Sequence, residues 1–172
     1  MNQERFKELE THVDAFLEAF QKNAKIKPFN ENVIRKLYRS FVEDICEWTN
    51  AKIKREYGVN YANRKVDPAA VIHDKDDENK VVKYAKEYNA TKATSDLNRI
   101  KLVLDSEGDH IHNHYMYEKL AHGYKYIDIE GGGGCRRCPC GNDIEIEDGM
   151  KLPPFHPGCL CHIVKFHNEV EE

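Results

Sequence analysis

Apolar residues recur at helical spacing through the first third of the chain. Phe6, Leu9, Val13, Phe16, Leu17 and Phe20 fall at offsets 0, 3, 7, 10, 11 and 14, so a helix over residues 2–22 carries them on one face. Lys27-Pro28-Phe29-Asn30 breaks the pattern and leaves Asn30 placed to cap the next helix. That helix, Glu31 to Tyr57, aligns Val33, Ile34, Leu37, Phe41, Ile45, Trp48 and Ile53, and Gly58 ends it. Two apolar faces joined by a short loop predict an α-hairpin. Cys46, beside the second stripe, reads as core filler.

The middle of the chain repeats the helical period in shorter pieces. Asp67-Pro68 opens a short helix through Ile72. Residues 73–80 form a charge run, read as solvated. Val81, Val82, Tyr84 and Ala85 predict a helix to Tyr88, and Thr94-Ser95-Asp96 caps another that buries Leu97, Ile100, Val103 and Leu104. The histidine-rich run 105–122 contains Gly108, which weakens a helix by ~1 kcal/mol. Its polar residues read as an exposed face opposite Ile111, Tyr115 and Leu120. The alternative sets Glu107, His110 and His114 on one face at i, i+3 and i+7, as a second metal or acid–base site requires. Gly123 stands just past the helix end.

Beyond that glycine the period changes from helical to alternating. Residues 124–130 and 143–147 read as strands, and 160–166 reads as the partner of the second. The four glycines 131–134 form a loop; without a following Lys-Ser/Thr and helix they make a poor phosphate cradle.

Composition narrows the function. The chain has 172 residues, 40% apolar and 33% charged, which suits one domain or one domain with a helical extension. A net charge of -4 gives no general attraction to nucleic acid. No apolar run approaches the roughly 18 residues of a membrane span, so no membrane partner is expected. Met1-Asn-Gln-Glu-Arg runs straight into the first helix with no signal peptide, which reads as a cytosolic origin and weighs against disulfides.

Cysteine spacing carries the chemistry. Five of the 6 cysteines and one histidine fall between Cys135 and Cys161. Cys135 and Cys138 form a C-x2-C pair, which on a tight turn points both sulfurs at one centre. His156-Pro157-Gly158-Cys159 repeats that spacing, and Cys159 and Cys161 share a face if extended. A soft tetrahedral ion takes such ligands, and Zn2+ is the usual occupant. The set preferred on spacing is Cys135, Cys138, His156 and either Cys159 or Cys161, with Cys140 a further candidate. A site filled by four protein ligands leaves no position for a reactive water, so the zinc is structural and no small-molecule substrate is expected. The fold class that follows is α+β: a mainly helical N-terminal two-thirds, then a small zinc-stabilised β module. The division expected is a helical hairpin extension over 1–60 and a domain over 61–172, with the zinc module at about 124–166.

A helix ending in glycine, a short strand, C-x2-C, a further strand and Pro153-Pro154-Phe155-His156-Pro157-Gly158-Cys159-Leu160-Cys161 together resemble the C-terminal domain of phage head-morphogenesis proteins. This is the minor-capsid family related to the F protein of phage Mu. Val103-Leu-Asp105-Ser106-Glu107 and the downstream Asn113 resemble a second family segment, although Asp105 stands where the family carries Arg. The likeness covers roughly 100–164. It implies a minor protein of the virion head, assembled in the host cytoplasm. Its expected partners are the portal or other capsid proteins, with packaged DNA as a further one.

Two rival readings come from other classes. A metal-dependent nuclease would use His110, His112, Asn113 and His114 around a second ion. A nucleic-acid-binding zinc ribbon would use Arg136, Arg137 and Lys151, against the acidic Asp143, Glu145, Glu147 and Asp148 nearby.

Overall fold

The computed structural model describes residues 3–26, 29–71, 76–131, 138–156, 159 and 161–170. Side chains are described for these residues apart from 3–6, 24–26, 68 and 69, so Phe6 lies outside that set, as does the start of the charge run at 73–75.

The hairpin forms as the apolar spacing requires. Helix α1 (Gln3–Ile26) buries Leu9, Val13, Phe16 and Phe20, and α2 (Glu31–Tyr57) buries Ile34, Phe41, Ile45 and Ile53. The Asn30 side chain accepts from the Asn32 N–H at 3.0 Å, and Gly58 (φ 103) ends α2 where its N–H bonds the Ile53 carbonyl. Tyr38 and Thr49 are buried as well, a polar addition to the stripe that apolar periodicity does not reveal. Leu37, Trp48 and Cys46 are half-buried against this core.

Short helices α3 (Val59–Ala62) and α4 (Pro68–Val71) lead to α5 (Asp77–Thr91). The next helix, α6 (Thr94–Leu120), is a single rod of 27 residues and the axis of the molecule. Its N-cap is Ala93, with no side-chain bond; Asp96 is buried instead and accepts from the Thr91 hydroxyl at 3.2 Å. Gly108 does not interrupt it. A Cβ there would lie 2.6 Å from Leu9 Cδ1 and 3.4 Å from Phe41 Cζ, so the missing side chain is what lets α1 and α2 approach.

The expected exposed polar face on 105–122 is overturned. Glu107, Asp109, His110, His112 and Asn113 are all buried. They occupy the stretch where α6 leaves one apolar cluster, with Ile100, Leu104 and Ile111, and enters a second, with Met116 and Leu120. A helix shared by two cores has too little free surface to leave that face in solvent.

After a 3-10 turn (Ala121–Gly123) come three antiparallel strands, β1 (Tyr126–Glu130), β2 (Gly141–Glu145) and β3 (His162–His167). The order is β2-β1-β3, so β3 does not pair with the 143–147 segment as expected; β1 lies between them. Ile127 and Ile129 point inward and pack with Ile163 and Phe166 against Ile53, Ala62, Met116 and Leu120. The fold is thus α+β: a helical body with a small C-terminal sheet laid on the far ends of α2 and α6.

Candidate metal centre

Two turns deliver the thiols. Cys138 and Cys140 precede β2; the Cys140 N–H bonds the Cys138 carbonyl at 2.8 Å, and its thiol donates to the same carbonyl at 3.4 Å. Cys159 and Cys161 precede β3; the Cys159 N–H bonds the His156 carbonyl at 3.0 Å, and the Cys161 N–H points at Cys159 Sγ at 3.4 Å. The β2-β1-β3 order brings both turns to one end of the sheet.

There Cys138, Cys159 and Cys161 place their sulfurs within 4.8 Å of one another, close enough to hold a metal ion. Cys138 Sγ lies 3.8 Å from Cys159 Sγ. Four sulfurs at ~2.3 Å from a tetrahedral zinc stand ~3.8 Å apart, so that separation suits the ion's coordination edge. Cys140 Sγ is 3.7 Å from Cys161 Sγ but is not within reach of all three. Gly131 makes room beside it: a Cβ there would come to 3.2 Å from Cys140 Sγ and 3.9 Å from Cys161 Sγ.

The surroundings set the two neighbouring thiols apart. Burial pushes the Cys159 thiol up. Hydrogen bonding at the Phe155 and Cys161 backbone, and from the Cys161 and Cys138 thiols, outweighs it and holds Cys159 below the ordinary thiol range. Burial, and then the hydrogen bonds with its cysteine neighbours, push Cys161 the other way. A cation would relieve that asymmetry, since bound thiols are all deprotonated.

Of the residues singled out by spacing, Cys138, Cys159 and Cys161 come together, so both members of the Cys159/Cys161 pair join the cluster. His156 is exposed and is not one of the clustered ligands. Cys135 lies outside the described residues, as do Arg136 and Arg137. Lys151 is exposed and donates to the Phe155 carbonyl at 3.2 Å. Glu107, His110 and His114 do not form a ligand group among the described residues, although the His110 and His114 rings stack at 3.8 Å. His112 stacks on Trp48 at 4.9 Å and bonds Thr49 Oγ1 through Nδ1 at 2.8 Å.

One site-building residue has a role that its position in the sequence does not disclose. Asn113 is fully buried on α6; its Nδ2 donates to the Pro153 carbonyl at 3.1 Å and its Oδ1 accepts from the Ile163 N–H at 3.1 Å. These two bonds fix both ends of the segment that carries His156, Cys159 and Cys161. In comparison with known proteins, the chain matches no family model, no curated protein and no solved structure.

Proposed function

We propose that the chain is a structural assembly protein of the phage head-morphogenesis type, its C-terminal module closed by one Zn2+. Cys138, Cys159 and Cys161 supply three ligands in this reading. Cys135 supplies the fourth, because a C-x2-C pair aims two sulfurs at one centre. The observation that carries the proposal is the pair of hydrogen bonds from Asn113. Asn113, one of the residues behind the resemblance, bonds Pro153 and Ile163, which flank the stretch carrying Cys159 and Cys161 of the thiol cluster. With four protein ligands the ion has no open position and acts on folding, where it can supply on the order of 10 kcal/mol. The helical body is left to bind partners, with the portal or other capsid proteins and packaged DNA as those the resemblance implies.

The nuclease alternative draws less support. His112 and Asn113, two of its four residues, are fully buried and bonded to Thr49, Pro153 and Ile163. No substrate phosphate reaches such groups without unfolding the helix around them.

The test has two arms. Metal analysis of the purified chain is expected to give about one zinc, lost with Cys135→Ser or Cys138→Ser and kept with His156→Ala. Co-expression with portal protein is expected to yield a complex, and no cleavage of DNA is expected with Mg2+, Mn2+ or Zn2+. Full zinc in both Cys variants would sink the metal assignment, and metal-stimulated cleavage without portal binding would sink the assembly role.

A further inference from the structure

A second convergence lies on the same sheet, built from different chemistry. Asp128 on β1, Asp143 on β2 and His167 on β3 each offer one ligand atom, and these atoms lie within 4.8 Å of one another. One side chain comes from each strand. Backbone irregularities aim them: the register of β1 shifts beside Asp128 on both of its ladders, and Asp143 adopts φ 55, a left-handed conformation that Asp tolerates better than most residues. The Asp143 N–H then donates to Asp128 Oδ1 at 2.8 Å.

His167 is oriented from behind. The Glu169 carbonyl, which can only accept, lies 2.6 Å from Nδ1, so Nδ1 carries the proton and Nε2 faces the carboxylates. Nε2 lies 2.8 Å from Asp128 Oδ1 and 3.5 Å from Asp143 Oδ1. An imidazole anchored through one nitrogen to a carbonyl, with the other aimed at carboxylates, has the orientation of a metal-binding histidine. Donor atoms around a six-coordinate ion at ~2.1 Å stand ~3 Å apart, and the two observed separations bracket that edge.

Charge admits a cation there. The position between Nε2 and the two carboxylates is filled either by a proton on Nε2 or by a cation. A proton leaves two carboxylates facing one imidazolium, with the Tyr126 ring 5.7 Å from the His167 ring and Lys165, exposed, opposite Asp128 in the ladder. A divalent ion would balance the same two carboxylates that the imidazolium and Lys165 otherwise face. The side chains are 13% (Asp128), 23% (Asp143) and 8% (His167) exposed, so the carboxylate side is open enough for water to complete an ion's shell.

We infer that Asp128, Asp143 and His167 form a second, open cation site, suited to a divalent ion that accepts oxygen and imidazole ligands. Binding displaces the Nε2 proton to solvent and puts the nitrogen lone pair on the ion. The site does not depend on the thiol cluster, whose sulfurs favour softer ions.

The experiment uses the full chain with its thiols already loaded with zinc, and Mn2+ as probe at pH 8. Thiolates compete poorly for Mn2+, so its electron-paramagnetic signal and water-proton relaxation report on oxygen and nitrogen ligands. One Mn2+ per chain is expected. Asp143→Asn keeps the left-handed backbone and its N–H bond, and it is expected to weaken binding by about tenfold or more with circular dichroism and zinc content unchanged. No Mn2+ binding up to millimolar concentration, or equal binding by Asp143→Asn, would overturn the inference and leave the three residues as an ion pair. Zinc content is read separately, so failure of the thiol reading is not confused with failure here.

Discussion

Asn113 on α6 accepts a hydrogen bond from the backbone N–H of Ile163 on β3 at 3.1 Å. The same amide donates to Pro153, so one buried side chain satisfies two backbone groups that have no water to turn to. Asn113→Ala leaves both unsatisfied at ~1–3 kcal/mol each, for an expected loss of roughly 3 kcal/mol in urea unfolding. Asn113→Asp keeps the acceptor for Ile163 and loses the donor to Pro153. It is expected to fall between wild type and Asn113→Ala at the β3 amides and to match Asn113→Ala at the Phe155 and His156 amides of the turn, read by hydrogen exchange. Equal protection of that turn in all three proteins would contradict the assignment.

Gly108 gives a second prediction in which two terms oppose. Alanine gains ~1 kcal/mol of helix propensity, while a Cβ at 2.6 Å from Leu9 Cδ1 forces the buried Leu9 to move, at ~1–3 kcal/mol. The expected net is a destabilisation of about 1 kcal/mol by thermal unfolding. In a Leu9→Ala background the obstacle is gone, and the same glycine change is expected to stabilise. Additive effects in the double variant would show that the contact carries no weight.

These two residues also mark where the sequence stops being readable. The second helix was legible to the residue, because Phe41 and Ile45 repeat at helical spacing and Asn30 and Gly58 punctuate it; the first, read as 2–22, runs on to Ile26. Spacing brought Cys138 together with one of Cys159 and Cys161, but the cluster holds both, and His156, which spacing also chose, is not among them. The α6 interior was not: a helix crossing two cores buries Glu107, His112 and Asn113, and their polarity reads as a solvent face until the sheet is placed upon it. The neighbour of β3 was hidden for a related reason. Alternation marks a strand but does not rank partners, and the central strand is the one nearest α6 in sequence.

Asp105 stands on α6 in an ion pair with Lys101 at 3.0 Å. Burial pushes its carboxyl above the ordinary range, and the Lys101 hydrogen bond only partly offsets this. A folded-state carboxyl raised above its unfolded value binds a proton more tightly when folded. Its contribution is therefore favourable below the unfolded pKa of ~3.9 and is lost as pH rises through the folded value. Asp105→Asn is thus expected to be neutral or mildly stabilising at pH 7, with the difference from wild type shrinking toward pH 4, measured by urea unfolding across that window. A variant less stable than wild type at pH 7 would show that the Lys101 pair outweighs burial.

Metal removal is expected to act locally, because the buried apolar residues fall into two clusters. The helical cluster, with Phe16, Phe41 and Leu104, contains no cysteine of the proposed centre; the sheet cluster contains Cys159 and Cys161 at its heart. Without a cation the Cys159 thiol is held low and the Cys161 thiol high, and the two turns lose the ion proposed to join them. Chelation should therefore expose amides of β1, β2 and β3 to hydrogen exchange while α1 and α2 stay protected and the helical circular dichroism signal persists. Re-addition of Zn2+ should restore the sheet, and the Asn113 bond to Ile163 should reform with it. Cooperative loss of every helix on chelation would mean that the two clusters unfold as one, and that the ion supports the whole chain rather than its C-terminal module.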